Sequence, residues 1–218
     1  MRRTIAVVGF ALTAGALAAA AVAFAEGSPA PALKYHAFVP AVSRAEQALP
    51  AAPTPAPDHG PVVSLYLGSA SITGNSPVEE RDTVFVGGRE VFADPSAPNR
   101  IAWYPRFGRP GDGANSIFAA HINYVNYGNG PFARLTSAHA DDALYVTMAD
   151  GAVYAFTVKS VDIIGLHDLD MDLVVFPPLD GHTERVTLIS CGGTFVPRPG
   201  GGGEYESRVV LVAERYHP

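Results

Sequence analysis

Residues 61–218 break into short segments rich in Val, Ile, Phe and Tyr, each bounded by clusters of Gly, Pro, Asp or Asn, and that rhythm limits the fold more than any other feature of the chain. The segments are 62–67, 83–86, 100–104, 116–121, 143–148, 153–164, 185–191 and 208–214. Such spacing predicts strands and not helices. Between Tyr145-Val146-Thr147-Met148 and Val153-Tyr154-Ala155-Phe156 stands Asp150-Gly151, the pair expected of a two-residue type I′ hairpin turn. Only residues 132–140 carry a brief helical pattern. About eight strands without alternating helices predict an all-β domain, a closed or nearly closed β-barrel with short helices.

The chain ahead of this domain has a different composition. Arg2 and Arg3 precede a run from 4 to 25 that carries no charge and closes on Ala23-Phe24-Ala25 before Glu26. Basic n-region, apolar h-region and A-x-A site describe a signal peptide. As a helix, the same run spans roughly 33 Å at about 1.5 Å per residue, enough to anchor in a hydrocarbon core of roughly 30 Å. Either reading exports the domain, because the arginines hold the N-terminus inside. Residues 26–60 are rich in Pro and Ala, with Pro29, Pro31, Pro40, Pro50, Pro53, Pro55 and Pro57, and read as a semi-rigid spacer in which 41–49 could form a turn or two of helix. The expected organisation is therefore 1–25 signal or anchor, 26–60 linker and 61–218 folded domain. The domain is long enough to bury a sizeable core.

Net charge is −6 and the basic residues are scattered, so the phosphate-neutralising stripe of a nucleic-acid binder is missing. Residues 167–172, His-Asp-Leu-Asp-Met-Asp, resemble a calcium loop, but Leu173 stands where that loop needs glycine and Leu179 where it needs a glutamate. Gly200 to Gly203 lack the following helix and lysine of a phosphate cradle and read as a loop. Neither metal nor cofactor is expected.

Three residues at the edges of predicted strands can carry chemistry. Cys191 is the sole cysteine and ends the run Thr187-Leu188-Ile189-Ser190-Cys191; an intramolecular disulfide is ruled out. A thiol with a free pKa of about 8.5 needs help to act as a thiolate nucleophile near neutral pH. His121 ends the run Ser116-Ile117-Phe118-Ala119-Ala120 and could take or share the thiol proton. Arg208 opens Val209-Val210-Leu211-Val212 and, always charged, could donate its planar fork to a developing oxyanion or a carbonyl. Each type also has a structural reading, as a buried core thiol, a core histidine or a solvated arginine.

Thr187-Leu188-Ile189-Ser190-Cys191 resembles the T-L-x-T-C signature of sortases, with Ser for the second Thr. Ala120-His121 followed by Gly130-Pro131-Phe132-Ala133-Arg134-Leu135 is similar to the family's histidine strand and the short helix after it. Arg208-Val209-Val210-Leu211-Val212-Ala213-Glu214 is similar to its last strand, which begins with an essential arginine. The order His, Cys, Arg agrees, and the likeness is nearest to actinobacterial class E and F sortases. Many members have Gly before the histidine and an acidic residue two places after it, where this chain has Ala120 and Asn123.

The resemblance implies a membrane-associated cysteine transpeptidase that cuts an L-P-x-T-G-like sorting signal between Thr and Gly. The acyl group passes through a thioester on Cys191 to an amine on peptidoglycan or another protein, and so joins proteins to the cell surface. His121 would protonate the leaving amine, and Arg208 would hold substrate and oxyanion. The connection 165–184 would form a wall of the substrate groove, lined by Leu173, Val174, Val175, Phe176 and Leu179, with Thr187 and Ser190 contacting substrate from the cysteine strand. The rival assignments are an L,D-transpeptidase, whose S-x-G-C pattern differs from Ser190-Cys191-Gly192-Gly193, a papain-like protease, whose histidine follows its cysteine, and an inactive secreted β-barrel binding module.

Overall fold

The computed structural model describes residues 58–199 and 202–217. The expected signal or anchor and all but the end of the Pro/Ala-rich linker lie outside the described residues, as do Gly200 and Gly201. No helix among the described residues is long and apolar enough to cross a membrane.

In chain order the strands are β1 (Val62–Leu67), β2 (Ile72–Thr73), β3 (Val78–Glu80), β4 (Thr83–Val86), β5 (Arg89–Phe92), β6 (Ile101–Trp103), β7 (Asn115–Ala119), β8 (Asn123–Tyr124), β9 (Gly128–Asn129), β10 (Ala143–Met148), β11 (Val153–Gly165), β12 (Thr183–Pro197) and β13 (Gly203–Tyr216). A 3₁₀ turn, Leu135–Ser137, falls within the stretch expected to be helical, and the helix α1 (Met171–Val175) falls within the long connection before β12. Nine strands form one sheet in the order β2-β1-β10-β11-β13-β12-β7-β6-β3, curled into a half-barrel. β7 runs parallel to β12, and β3 parallel to β6; the other pairs of this sheet are antiparallel. The all-β expectation holds.

Side chains alternate along a strand, so each strand of a curled sheet divides between a concave and a convex face. From β12, Val186 and Leu188 enter the large inner core with Phe118 of β7 and Ala120 just past it, Leu211 and Ala213 of β13, and Trp103, Phe156 and Leu65. Each such buried apolar side chain stabilises the fold by about 1.5–3 kcal/mol. The alternate residues, Ile189 of β12 with Ile117 and Ala119 of β7, form a second core on the other face, together with Phe92, Tyr104, and Met171 and Val175 of α1. The middle of the sheet is therefore covered on both sides.

The hairpin between β10 and β11 departs from the type I′ expectation. Gly151 has φ +90, Asp150 is not among the positive-φ residues, and Gly151 N donates to Met148 O. This is a type I turn followed by a left-handed glycine. The Asp150 carboxylate explains the choice, since it accepts from Ala152 N and from the His59 ring and stabilises the turn without a second positive φ.

Candidate active site

The parallel pairing of β7 with β12 aligns Ala119 with Ile189. Two residues further along both chains stand His121 and Cys191, on the same face by alternation. In the antiparallel ladder of β12 with β13, Cys191 is the direct partner of Arg208. Three segments far apart in sequence thus deliver His121, Cys191 and Arg208 to one end of adjacent strands, on the convex face, beside the second core. The sheet register alone makes the trio neighbours.

Local backbone chemistry fixes the ends of these strands. Past Ala119 the chain leaves the ladder, and the carbonyl of His121 accepts from Phe132 N. A Cβ on Gly130 would collide with that carbonyl, so the turn that brings the 3₁₀ segment back onto the histidine needs glycine there. After Cys191 the strand runs through Gly192, against Val209, and Gly193 at φ +75, against Ser207, where the register of β12 with β13 shifts.

All three side chains are withdrawn from solvent: Cys191 is 7 % exposed, His121 6 % and Arg208 0 %. Burial lowers the His121 pKa below its ordinary value, because a desolvated imidazolium is disfavoured. The ring packs edge-on against Tyr124 at 5.1 Å between centroids. Neutral imidazole is the form that can accept a thiol proton.

Arg208 is the most informative of the three. Its Nη1 donates to the carbonyls of Tyr205 (3.1 Å) and Ser207 (2.9 Å), which fixes the plane of the guanidinium. Its Nη2 lies 3.6 Å from the Glu204 carboxylate. Among the described residues, the buried Nε and Nη2 have no hydrogen-bond partner. Leaving buried donors unsatisfied costs about 1–3 kcal/mol each, so such a fork suits an arginine kept ready for an external acceptor.

Of the seven residues expected to line the groove or touch substrate, Val174 and Leu179 are half-buried, and the other five fall into two groups. Leu173 (61 % exposed) and Phe176 (56 %) present apolar surface, Phe176 against the ring of Phe107 at 5.7 Å. Val175, Thr187 and Ser190 are buried and offer no free surface. Val175 is part of the second core, Thr187 Oγ1 donates to Asn115 Oδ1, and Ser190 Oγ donates to Cys191 O. Their place is behind the site. Asp170, from the stretch resembling a calcium loop, is the N-cap of α1 and accepts from the amides of Asp172 and Leu173.

Sequence reasoning missed Asn115, Tyr124, Tyr205 and Phe107. Tyr205 OH accepts from Asn123 Nδ2 at 2.6 Å and packs against Phe195 at 5.1 Å, linking the end of the β12–β13 hairpin to the segment just past His121. A polar residue at the head of the apolar run 115–120 was the visible signal for Asn115; the aromatic residues gave none.

The family model for the Sortase domain matches residues 75–216. Among solved structures, sortase A from Corynebacterium diphtheriae in a lid mutant has TM-score 0.50 and 17% identity over 75% of this chain and 72% of that chain. The Corynebacterium diphtheriae sortase A reaches TM-score 0.49 and 19% identity over 72% of this chain and 61% of that chain. The SrtA sortase from Actinomyces oris has TM-score 0.49 and 19% identity, over 72% of this chain and 81% of that one. No curated protein matches the sequence.

Proposed function

The chain belongs to the sortase family of cysteine transpeptidases, and on that premise we propose that it cuts an L-P-x-T-G-like sorting signal between Thr and Gly and passes the acyl group to an amine. His121 takes the Cys191 proton and the thiolate attacks the threonine carbonyl carbon. The oxyanion so formed accepts hydrogen bonds from Arg208 Nε and Nη2, the two buried donors that make no hydrogen bond among the described residues. Collapse breaks the C–N bond, and the imidazolium gives its proton to the departing glycine amine. An incoming amine then attacks the thioester, loses a proton to His121 and expels the Cys191 thiolate, restoring the enzyme.

The observation that carries this reading is the direct pairing of Cys191 with Arg208 in one ladder, with Nε and Nη2 of that guanidinium buried and without a hydrogen bond among the described residues. Sortases are extracytoplasmic enzymes that act on surface proteins bearing sorting signals. The basic and apolar N-terminus supports display on the outer face of the cell membrane, with the Pro/Ala-rich segment as spacer and an amine of peptidoglycan or of another protein as acceptor. Mass spectrometry of L-P-x-T-G and L-A-x-T-G peptides incubated with the full chain, with and without an amine, tests the reaction. Hydroxylamine should release a threonine hydroxamate from wild type and nothing from Cys191→Ala. Cleavage by Cys191→Ala, or no product from either peptide with wild type, would overturn it.

A further inference from the structure

Helix α1 has five residues, and a helix this short cannot hold itself together; isolated helices below roughly 12 residues are marginal in water. Asp170 caps its first turn, and Met171 and Val175 are buried in the second core. Its last carbonyls have no partner within the helix. Asn115, at the head of β7, supplies one: Nδ2 donates to Val174 O at 2.9 Å and to Val175 O at 3.1 Å, across 59 and 60 residues of sequence. Oδ1 of the same amide accepts from Thr187 Oγ1 at 2.8 Å. The residue is 4 % exposed. Asparagine is depleted in strands, so a buried one whose amide is fully used has been placed for its hydrogen bonds.

We propose that Asn115 is a positioning residue of the transpeptidation site. Its amide clamps α1 onto the two strands that end in His121 and Cys191, and so sets where Leu173 and Phe176 stand when the peptide binds. Asn115 and His121 lie on one face of the β7 segment, Thr187 and Cys191 on the same face of β12, so the clamp and the chemistry share a support. The inference rests on the sortase reading of the site. It goes beyond it in assigning the geometry of the groove wall to an amide that touches neither thiol nor substrate.

Asn115→Asp preserves shape and the acceptor for Thr187 but replaces both donors with an oxygen facing two carbonyls. In the full chain, amide hydrogen exchange at Val174 and Phe176, which donate to Asp170 O and Asp172 O, should accelerate while β10 and β11 stay as in wild type. With the L-P-x-T-G peptide, KM should rise roughly tenfold with kcat and the alkylation rate of Cys191 nearly unchanged. Phe176→Ala should raise KM as well, and the double variant should fall short of the product of the two effects. Thr187→Val, which keeps both donors but loses the bond that orients the amide, should give the same pattern at smaller size, and Thr187→Ser should restore wild type. If Asn115→Asp does not fold, Thr187→Val decides. Unchanged exchange in α1, a loss falling on kcat and alkylation together, or independent effects of Asn115→Asp and Phe176→Ala would each overturn the clamp. If wild type cleaves neither peptide, the substrate reading fails, and the exchange measurement alone decides the clamp.

Discussion

The two sides of the His121, Cys191 and Arg208 trio are built in opposite ways. On one side α1 is tied down by buried contacts: Met171 and Val175 in the second core and the Asn115 amide on its last carbonyls. On the other, the β12–β13 hairpin leaves the core after Gly192, and 193–199 are exposed. Beyond the ladder it is held by the exposed Asn123–Tyr205 hydrogen bond, by the buried Arg208 guanidinium on Tyr205 O and by Leu166 N on Glu206 O, while the Phe195–Tyr205 ring contact and the Arg198–Glu204 ion pair at 2.5 Å lie within the hairpin at the surface. Exposed ion pairs contribute about 0–1 kcal/mol, whereas burying the side chains of α1 is worth several times more. On the proposed function a peptide must reach a thiol and a guanidinium as buried as these, and the expectation is that the exposed hairpin yields before the helix. That would divide the labour, with the helix fixing recognition and the hairpin access.

That division assumes that both walls enclose a working centre, and the largest expected effects test it. Arg208→Lys keeps the charge but loses the fork, and turnover of an L-P-x-T-G peptide should fall by about 10²–10³ with the fold intact by circular dichroism. Wild-type turnover would leave Arg208 as a structural residue only. The stability of the two walls should also differ. Met171→Ala should cost about 2–5 kcal/mol in denaturant unfolding, whereas Phe195→Ala, which loses one half-exposed ring contact, should cost about 0.5–1.5 kcal/mol. Equal costs would break the comparison.

His121 lies between the walls and should report on both through pH. Its folded pKa is lowered by burial, so in the folded state it resists the proton that the unfolded chain binds near 6.5. Stability from this group is fully present above about pH 6.5 and is lost as pH falls from there through the lowered folded value. Asp150 is lowered too, by the hydrogen bond from Ala152 N, and its loss begins only in the carboxylate range. His121→Gln should therefore flatten the slope of unfolding free energy between pH 6.5 and the carboxylate range and leave the acid limb alone. An unaltered slope would mean that His121 is no more buried in solution than in an unfolded chain.

How much of this was legible beforehand follows from where the information lies. Residues 62–67, 83–86 and 143–148 were read to the residue, because their apolar pattern and turn signals are local. β12 and β13 were read short: their outer ends, through Pro197 and from Gly203, are rich in Gly, Pro and Glu and carry no sustained apolar pattern. The two-residue strands β2, β8 and β9 are too brief for any periodicity. His121, Cys191 and Arg208 could be singled out because each sits at the edge of an apolar run. The burial of Val175, Thr187 and Ser190 could not, since a strand covered on both faces has no polar side from which to tell in from out. The amide of Asn115 works across 59 residues, and no window of sequence spans that.

The smallest expected effect is the sharpest test of the hairpin as the movable side. Tyr205→Phe removes the hydroxyl that accepts from Asn123 and keeps the ring that packs on Phe195, so the hairpin loses one attachment and nothing else. A single exposed hydrogen bond is worth about 0.5–1 kcal/mol, which converts to a roughly two- to fivefold change in an opening equilibrium. Alkylation of Cys191 by a small thiol reagent in the absence of substrate should quicken by that factor, while global stability changes little. The peptide KM should fall or hold, since the wall that recognises the peptide is untouched. Slower alkylation, or faster alkylation matched by faster exchange in α1, would show that the two sides open together and that the contrast between them does not extend to their motion.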